Sequence, residues 1–249
     1  MWKEFVFLVL TILITLFIAI LSTWWNWNHQ IVGVKLNDFF FHLVPDLSDV
    51  ETPFPNYILL VQLFFGIISF RSNSTYKYIA QFIFLQSILS AVRAVSVAIT
   101  TLPNIRVYEH CEKEVSSFFQ VLEYMIIYGT CGDYMFSGHT ATAFLTYMFV
   151  HKHGSYYAWE ILSGLLLGAQ MFVLLLLRWH YSVDILIACI ITWLVFRFYK
   201  RYEQVDYWSD FWFYFKVFEK KCDAEPVTYD SQVNTTRRKA RFKSLYNFK

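Results

Sequence analysis

Tyr156-Tyr157-Ala158-Trp159-Glu160-Ile161-Leu162-Ser163-Gly164-Leu165-Leu166-Leu167-Gly168-Ala169-Gln170-Met171-Phe172-Val173-Leu174-Leu175-Leu176-Leu177 holds one charged side chain, Glu160, close to its start. A run this long and apolar fits a helix that crosses a bilayer, for which about 20 residues suffice. It is one of six such runs, the others being 5–25, 57–70, 79–100, 136–150 and 181–199. The second and fourth are short, and their ends are expected to extend into neighbouring aromatic residues. The chain is 57% hydrophobic, above the roughly 45–50% of a soluble domain. Its apolar residues come in blocks rather than amphipathic stripes, which argues against a large soluble core. Trp24, Trp25 and Trp27 follow the first run where a cleavage site would need small residues. They suit an interfacial belt, so the first run is read as an uncleaved span. The expected fold is all-α, a polytopic membrane protein with six transmembrane helices over 1–200. A cytosolic aromatic and basic tail is expected over 201–249.

Lys and Arg set the orientation. The turn at 71–77, the segment His151-Lys152-His153 and the tail ending in Arg237-Arg238-Lys239-Ala240-Arg241 are basic. With six spans these fall on one side. The loops at 25–56 and 101–133 fall on the other and carry Asp46, Asp49, Glu51, Glu109, Glu112 and Glu114. Both termini are then cytosolic. Cys111 and Cys131 bracket the third loop on the oxidising side, where a disulfide between them could form; whether they are bonded stays open. Cys189 reads as a small apolar filler within a span, and Cys222 as a reduced cytosolic thiol.

Two motifs stand at the edges of apolar runs: Cys131-Gly132-Asp133-Tyr134-Met135-Phe136-Ser137-Gly138-His139-Thr140, and His180-Tyr181-Ser182-Val183-Asp184. On the six-span layout both open onto the same, non-cytosolic face. In the second, the carboxylate follows the histidine by four residues, so on a helix the two share one face. The carboxylate can then orient the imidazole and stabilise its charged form. The pair could equally be a histidine capped by its own helix. An ionisable Asp184 inside an apolar run is costly and favours a functional role. In the first motif, Gly138 allows backbone to approach a phosphate. Ser137 and Thr140 can donate to it, beside the free N–H groups of a helix start. His139 is placed for general acid–base work. Alternatively the stretch is an N-capping turn that happens to contain a histidine.

Taken together, the motifs resemble the type-2 phosphatidic acid phosphatase superfamily, and more closely its sphingolipid synthase branch, the sphingomyelin synthase family. The segment from Arg93-Ala94-Val95 to Thr100-Thr101-Leu102-Pro103 is similar to that branch's arginine-containing segment. The resemblance covers roughly 90–196. It implies a type-2 phosphatidic acid phosphatase-like helical core. It also implies His180 as nucleophile, Asp184 as its orienting partner and His139 as acid and base. The implied reaction moves a phospho-head group, most simply phosphocholine from phosphatidylcholine, to ceramide through a phosphohistidine-type intermediate and releases diacylglycerol. No metal or cofactor is implied. The implied partners are a phospholipid donor, a ceramide acceptor and membrane lipids. No nucleic acid is expected, and homo-oligomerisation is left open. The implied location is the Golgi or plasma membrane, with the active site lumenal or extracellular.

The choice among choline, ethanolamine and inositol head groups stays open. A lipid phosphate phosphatase and a non-catalytic lipid-binding membrane protein are the rival readings. The superfamily's phosphatases carry an arginine several residues before the last histidine; here that region reads Leu174-Leu175-Leu176-Leu177, and Arg178 stands too close to match it. The branch's Pro-Leu-Pro-Asp segment is poorly reproduced, with Leu36-Asn37-Asp38 and Val44-Pro45-Asp46 its nearest counterparts. Arg93 is expected either on a lipid phosphate or snorkelling to the interface. Asp133 is expected either on a choline ammonium or shaping the Ser-Gly-His turn. Tyr134, Trp179 and Tyr181 form either an aromatic cage or interfacial packing. Arg178 either attracts phosphate or anchors its span, the anchor being the simpler reading.

Overall fold

A computed structural model describes residues 2–29, 36–50, 53–70, 75–100 and 135–203, with 102, 103, 105, 117, 119 and 120 besides. These belong to one compact unit, Met1–Tyr207; a second unit, Trp208–Lys249, lies outside the described residues. No strand occurs among the described residues, which form seven helices. They are α1 (Trp2–Asn28), α2 (Phe39–Leu43), α3 (Phe54–Ser69), α4 (Thr75–Ile99), α5 (Gly138–His153), α6 (Tyr157–Leu176) and α7 (Ser182–Glu203).

Three stretches are long and apolar enough to cross a membrane: Tyr78–Ile99, Tyr157–Leu176 and Ser182–Arg201. Val9–Trp25 and Phe54–Ser69 are shorter apolar helices. The apolar run at 57–70 does extend backwards into an aromatic residue, because Pro53 and Pro55 flank Phe54 at the helix start, where proline lacks only a hydrogen bond the helix would not make.

α5 is the hub, packing against α3, α4, α6 and α7, while α1 packs along α4. Ala141, Ala143, Leu145 and Phe149 of α5 are at most 1% exposed. Small side chains let neighbours come close: a Cβ on Gly66 of α3 would lie 2.8 Å from Thr146 Cγ2. Gln62, fully buried in α3, donates to Ala143 O at 2.9 Å and to Ser163 O and Oγ at 3.3 Å, joining α3, α5 and α6. In an apolar medium such bonds replace water as the partner of a polar side chain.

The helices alternate in direction. At one end Ser155 donates its N–H and hydroxyl to Ser69 O, and Tyr78 packs on His153. At the other end Leu47 N–H donates to Leu176 O, His139 meets Asn56, and Arg93 meets Gly138. The two sequence motifs therefore lie at the same end of the bundle.

Candidate active site

α6 stops in a complete left-handed cap. Arg178 N–H donates to Leu175 O (3.2 Å) and Trp179 N–H to Leu174 O (3.0 Å), the two bonds of a Schellman turn. That turn needs a residue with positive φ, normally glycine; here it is Arg178, at φ 55°. The side chain holds it there. Its Nη2 donates to Phe41 O (2.8 Å) and Val44 O (3.2 Å) at the end of α2, its guanidinium lies 4.0 Å from the Phe41 ring centre, and Nε lies 3.6 Å from Asp46. A cation suits the exposed carbonyls of a helix C-terminus. Arg178 is thus an anchor, but it anchors the first loop rather than snorkelling: it is 5% exposed.

The chain restarts as α7 two residues after His180. Asp184, at the third helical position, reaches back with Oδ2 to accept the Tyr181 N–H at 2.9 Å, half of a capping box. Ser182 N–H donates to Asp38 Oδ2 at 2.6 Å, and Asp38 Oδ1 also accepts from Phe40 N–H at 2.9 Å. One carboxylate from the first loop caps two helices. This corrects the expectation that His180 and Asp184 share a helix face: His180 sits in the link, because the caps fix the helix start at Ser182. The two still face each other, with Nδ1 3.6 Å from Asp184 Oδ2. That is longer than a hydrogen bond and short enough to become one with a small ring rotation. Asp184 is fully buried and His180 6% exposed.

The first motif caps α5. Ser137 Oγ accepts from Thr140 N–H (3.3 Å) and from the Thr140 hydroxyl (2.9 Å), and both side chains are fully buried. These hydroxyls serve the helix start. Ser137 N–H donates to Asp184 O at 3.5 Å, which ties the two motifs directly. Gly138 is in contact with Arg93: a Cβ there would lie 2.5 Å from Nη1 and 3.1 Å from Cζ. Arg93 therefore turns inward onto the motif instead of snorkelling away. His139 Nε2 is 2.7 Å from Asn56 Oδ1, its ring stands edge-on to Trp179 at 5.7 Å, and it lies within electrostatic reach of both His180 and Arg93. A cavity of about 150 Å³ opens here, with Arg93, Gly138 and His139 in its wall.

Arg93, Gly138 and His139 thus share a cavity, and His180 with Asp184 stands beside it. Tyr181 does not join them. It is 2% exposed, stacks on Phe41 at 5.7 Å, accepts from Leu36 N–H and donates to Pro103 O, both at 3.2 Å. Of the two readings of Tyr181 these contacts fit packing: its ring and hydroxyl hold loops together. Asp133, Tyr134, Cys111 and Cys131 lie outside the described residues. Among the described residues no three His, Cys, Asp or Glu side chains gather as a metal site requires. Sequence reasoning missed Asn56 and the double cap by Asp38. The faint signal for Asp38 was its place before three phenylalanines, since Asp is a favoured N-cap.

Residues 130–201 match the family described as PAP2 superfamily C-terminal. Phosphatidylcholine:ceramide cholinephosphotransferase 2 of Macaca fascicularis is 29% identical over 127 residues, 45% of this chain and 35% of that protein. The Homo sapiens protein of the same name is 28% identical over the same shares. Phosphatidylcholine:ceramide cholinephosphotransferase 1 of Rattus norvegicus is 27% identical over 154 residues, 51% of this chain and 37% of that protein. The matches span little more than a third of the length of these relatives. With the motif histidines inside the matched region, the chain carries a PAP2 superfamily C-terminal domain and is a homologue of the ceramide cholinephosphotransferases.

Proposed function

We propose that the chain is a sphingolipid synthase, moving phosphocholine from phosphatidylcholine to the primary hydroxyl of ceramide. The observation that carries this reading is the bond between Ser137 N–H and Asp184 O, which joins the His139–Arg93 cavity to the His180–Asp184 pair. Asp184 faces His180 Nδ1, so Nε2 is the nitrogen left to attack phosphorus. Arg93 balances the phosphoryl charge. His139 protonates the departing diacylglycerol oxygen. It then takes the proton from the ceramide hydroxyl, whose oxygen attacks the phosphohistidine and frees His180. A transferase is favoured over a phosphatase because Arg178, the nearest arginine before His180, is committed to Phe41 O and Val44 O. On this reading the three long stretches, the two shorter apolar helices and α5 (Gly138–His153) make up six spans, with the site at the lumenal or outer face of a Golgi or plasma membrane and the tail from 201 on the cytosolic side. The homologues' use of phosphatidylcholine and ceramide supports this choice of substrates.

The test uses purified wild type and His180→Ala with fluorescent ceramide and, in separate reactions, phosphatidylcholine, phosphatidylethanolamine or phosphatidylinositol. Mass spectrometry is expected to find sphingomyelin from the wild type and none from the variant. A different head group on ceramide corrects the donor. Undiminished product from well-folded His180→Ala refutes the mechanism.

A further inference from the structure

α4 carries Gln86, Ser90 and Arg93 at spacings of four and three residues, so the three lie on one face. All three line the cavity that also holds His139. Gln86 lies seven residues from Arg93, about 10 Å further along the helix, away from the catalytic end. Leu59, Leu89, Phe136 and Ala141 supply the apolar part of the wall, and Ser90 and Thr142 add hydroxyls to it. Gln86 Oε1 is buried and has no hydrogen-bond partner among the described residues. It sits within Tyr78–Ile99, a stretch apolar enough to cross a membrane. A lone acceptor in such a medium is costly unless a donor arrives.

The chemistry of that donor narrows the ligand. Phosphatidylcholine offers phosphate and ester oxygens but no N–H or O–H group, so it cannot satisfy Gln86 Oε1. A sphingoid-base amide has an N–H and a secondary hydroxyl close to its reactive primary hydroxyl. We infer that the cavity between α3, α4 and α5 is the acceptor subsite, and that Gln86 selects an amide-bearing sphingoid lipid over a glycerolipid. The inference rests on the transferase reading. Arg93 and His139 hold the phosphoryl end, while Gln86 takes the amide N–H of the acceptor's head deeper in. Ser90, one turn along, offers a second polar contact. A site built around a buried polar group rejects ligands that leave it unpaired far more strongly than it rejects a change of size.

The experiment measures transfer by purified full chain, wild type and Gln86→Leu, to two acceptors: ceramide, and diacylglycerol labelled so that its conversion to phosphatidylcholine is read. Gln86→Leu is expected to lower the ceramide-to-diacylglycerol ratio of kcat/KM on the order of tenfold, mostly through KM for ceramide. N-methylated ceramide is expected to be a poorer acceptor than ceramide for the wild type and an equal one for the variant. A merely structural role lowers both acceptors alike. An unchanged ratio therefore overturns the inference while the transferase stands. No transfer by the wild type to either acceptor overturns both. Gln86→Met serves if Gln86→Leu inserts poorly. Thermal stabilisation by ceramide without any donor lipid is expected in the wild type and absent in either variant; equal stabilisation overturns the inference.

Discussion

Replacing Asp38 with alanine tests how the first loop holds the turn that carries His180. The carboxylate is 7% exposed and accepts two backbone N–H groups, from Phe40 at the start of α2 and from Ser182 at the start of α7. Loss of one N-cap costs about 1 kcal/mol, so losing both costs about 2 kcal/mol. Asp184 keeps its own bond to Tyr181 N–H, so α7 still forms. What loosens is the seating of residues 178–182 against the loop. Only the Ser182 bond crosses to that turn, so its share of about 1 kcal/mol, at about 1.4 kcal/mol per tenfold, lowers the seated population roughly fivefold relative to the unseated one. Asp38→Asn keeps one acceptor oxygen and should lie about halfway between. Two assays read this. Transfer should lose kcat with little change in KM, because Asp38 is not in the cavity wall. Diethylpyrocarbonate labelling of His180, followed by mass spectrometry, should speed up in the order wild type, Asn, Ala. Wild-type labelling and kcat in Asp38→Ala, or an Asn variant no better than Ala, would refute the two-cap reasoning.

Two further substitutions separate the parts of the site. Gly138→Ala places a methyl group 2.5 Å from Arg93 Nη1, and the flexible guanidinium swings away. Donor KM should then rise about tenfold, the loss of roughly one charged hydrogen bond, while the unfolding temperature in detergent moves little. A large unfolding shift with unchanged KM would count against an anion-binding Arg93. Arg178→Gly removes the strain of a left-handed arginine, worth about 1 kcal/mol, but also removes the bonds to Phe41 O and Val44 O. The unfolding temperature should fall in spite of the relieved strain, and transfer should fall with it. A rise in both would show the clamp to be dispensable.

The sequence reports the helices well and their fastening poorly. The run at 156–177 appears as Tyr157–Leu176 because length and apolar content alone define such a helix. Ser137 reads as an N-cap from its own chemistry, and it is one. By contrast, α2 spans five residues and owes its place to its N-cap Asp38, which also holds Ser182, and to Arg178; Ser182 and Arg178 both lie more than 130 positions further along the chain. No periodicity announces it. The positive φ of Arg178 is equally silent, since glycine is the residue that normally marks such a stop. For His180 and Asp184 the spacing revealed the pair. Only the capping contacts show that the histidine stands outside the helix. Nothing in the sequence sets Gln86 apart; it stands out only as part of the cavity wall.

The double cap by Asp38 also bears on how such a protein can evolve. The matched domain at 130–201 contains His139, His180 and Asp184. The carboxylate that seats their turn, the asparagine beside His139, the arginine against Gly138 and the loop gripped by Arg178 all come from residues before 100. A gene that inherited only the histidine-bearing half would carry His139, His180 and Asp184 without their fixtures. Recombination between the halves is therefore constrained: Asp38 and the turn it seats must descend together, or be reinvented together.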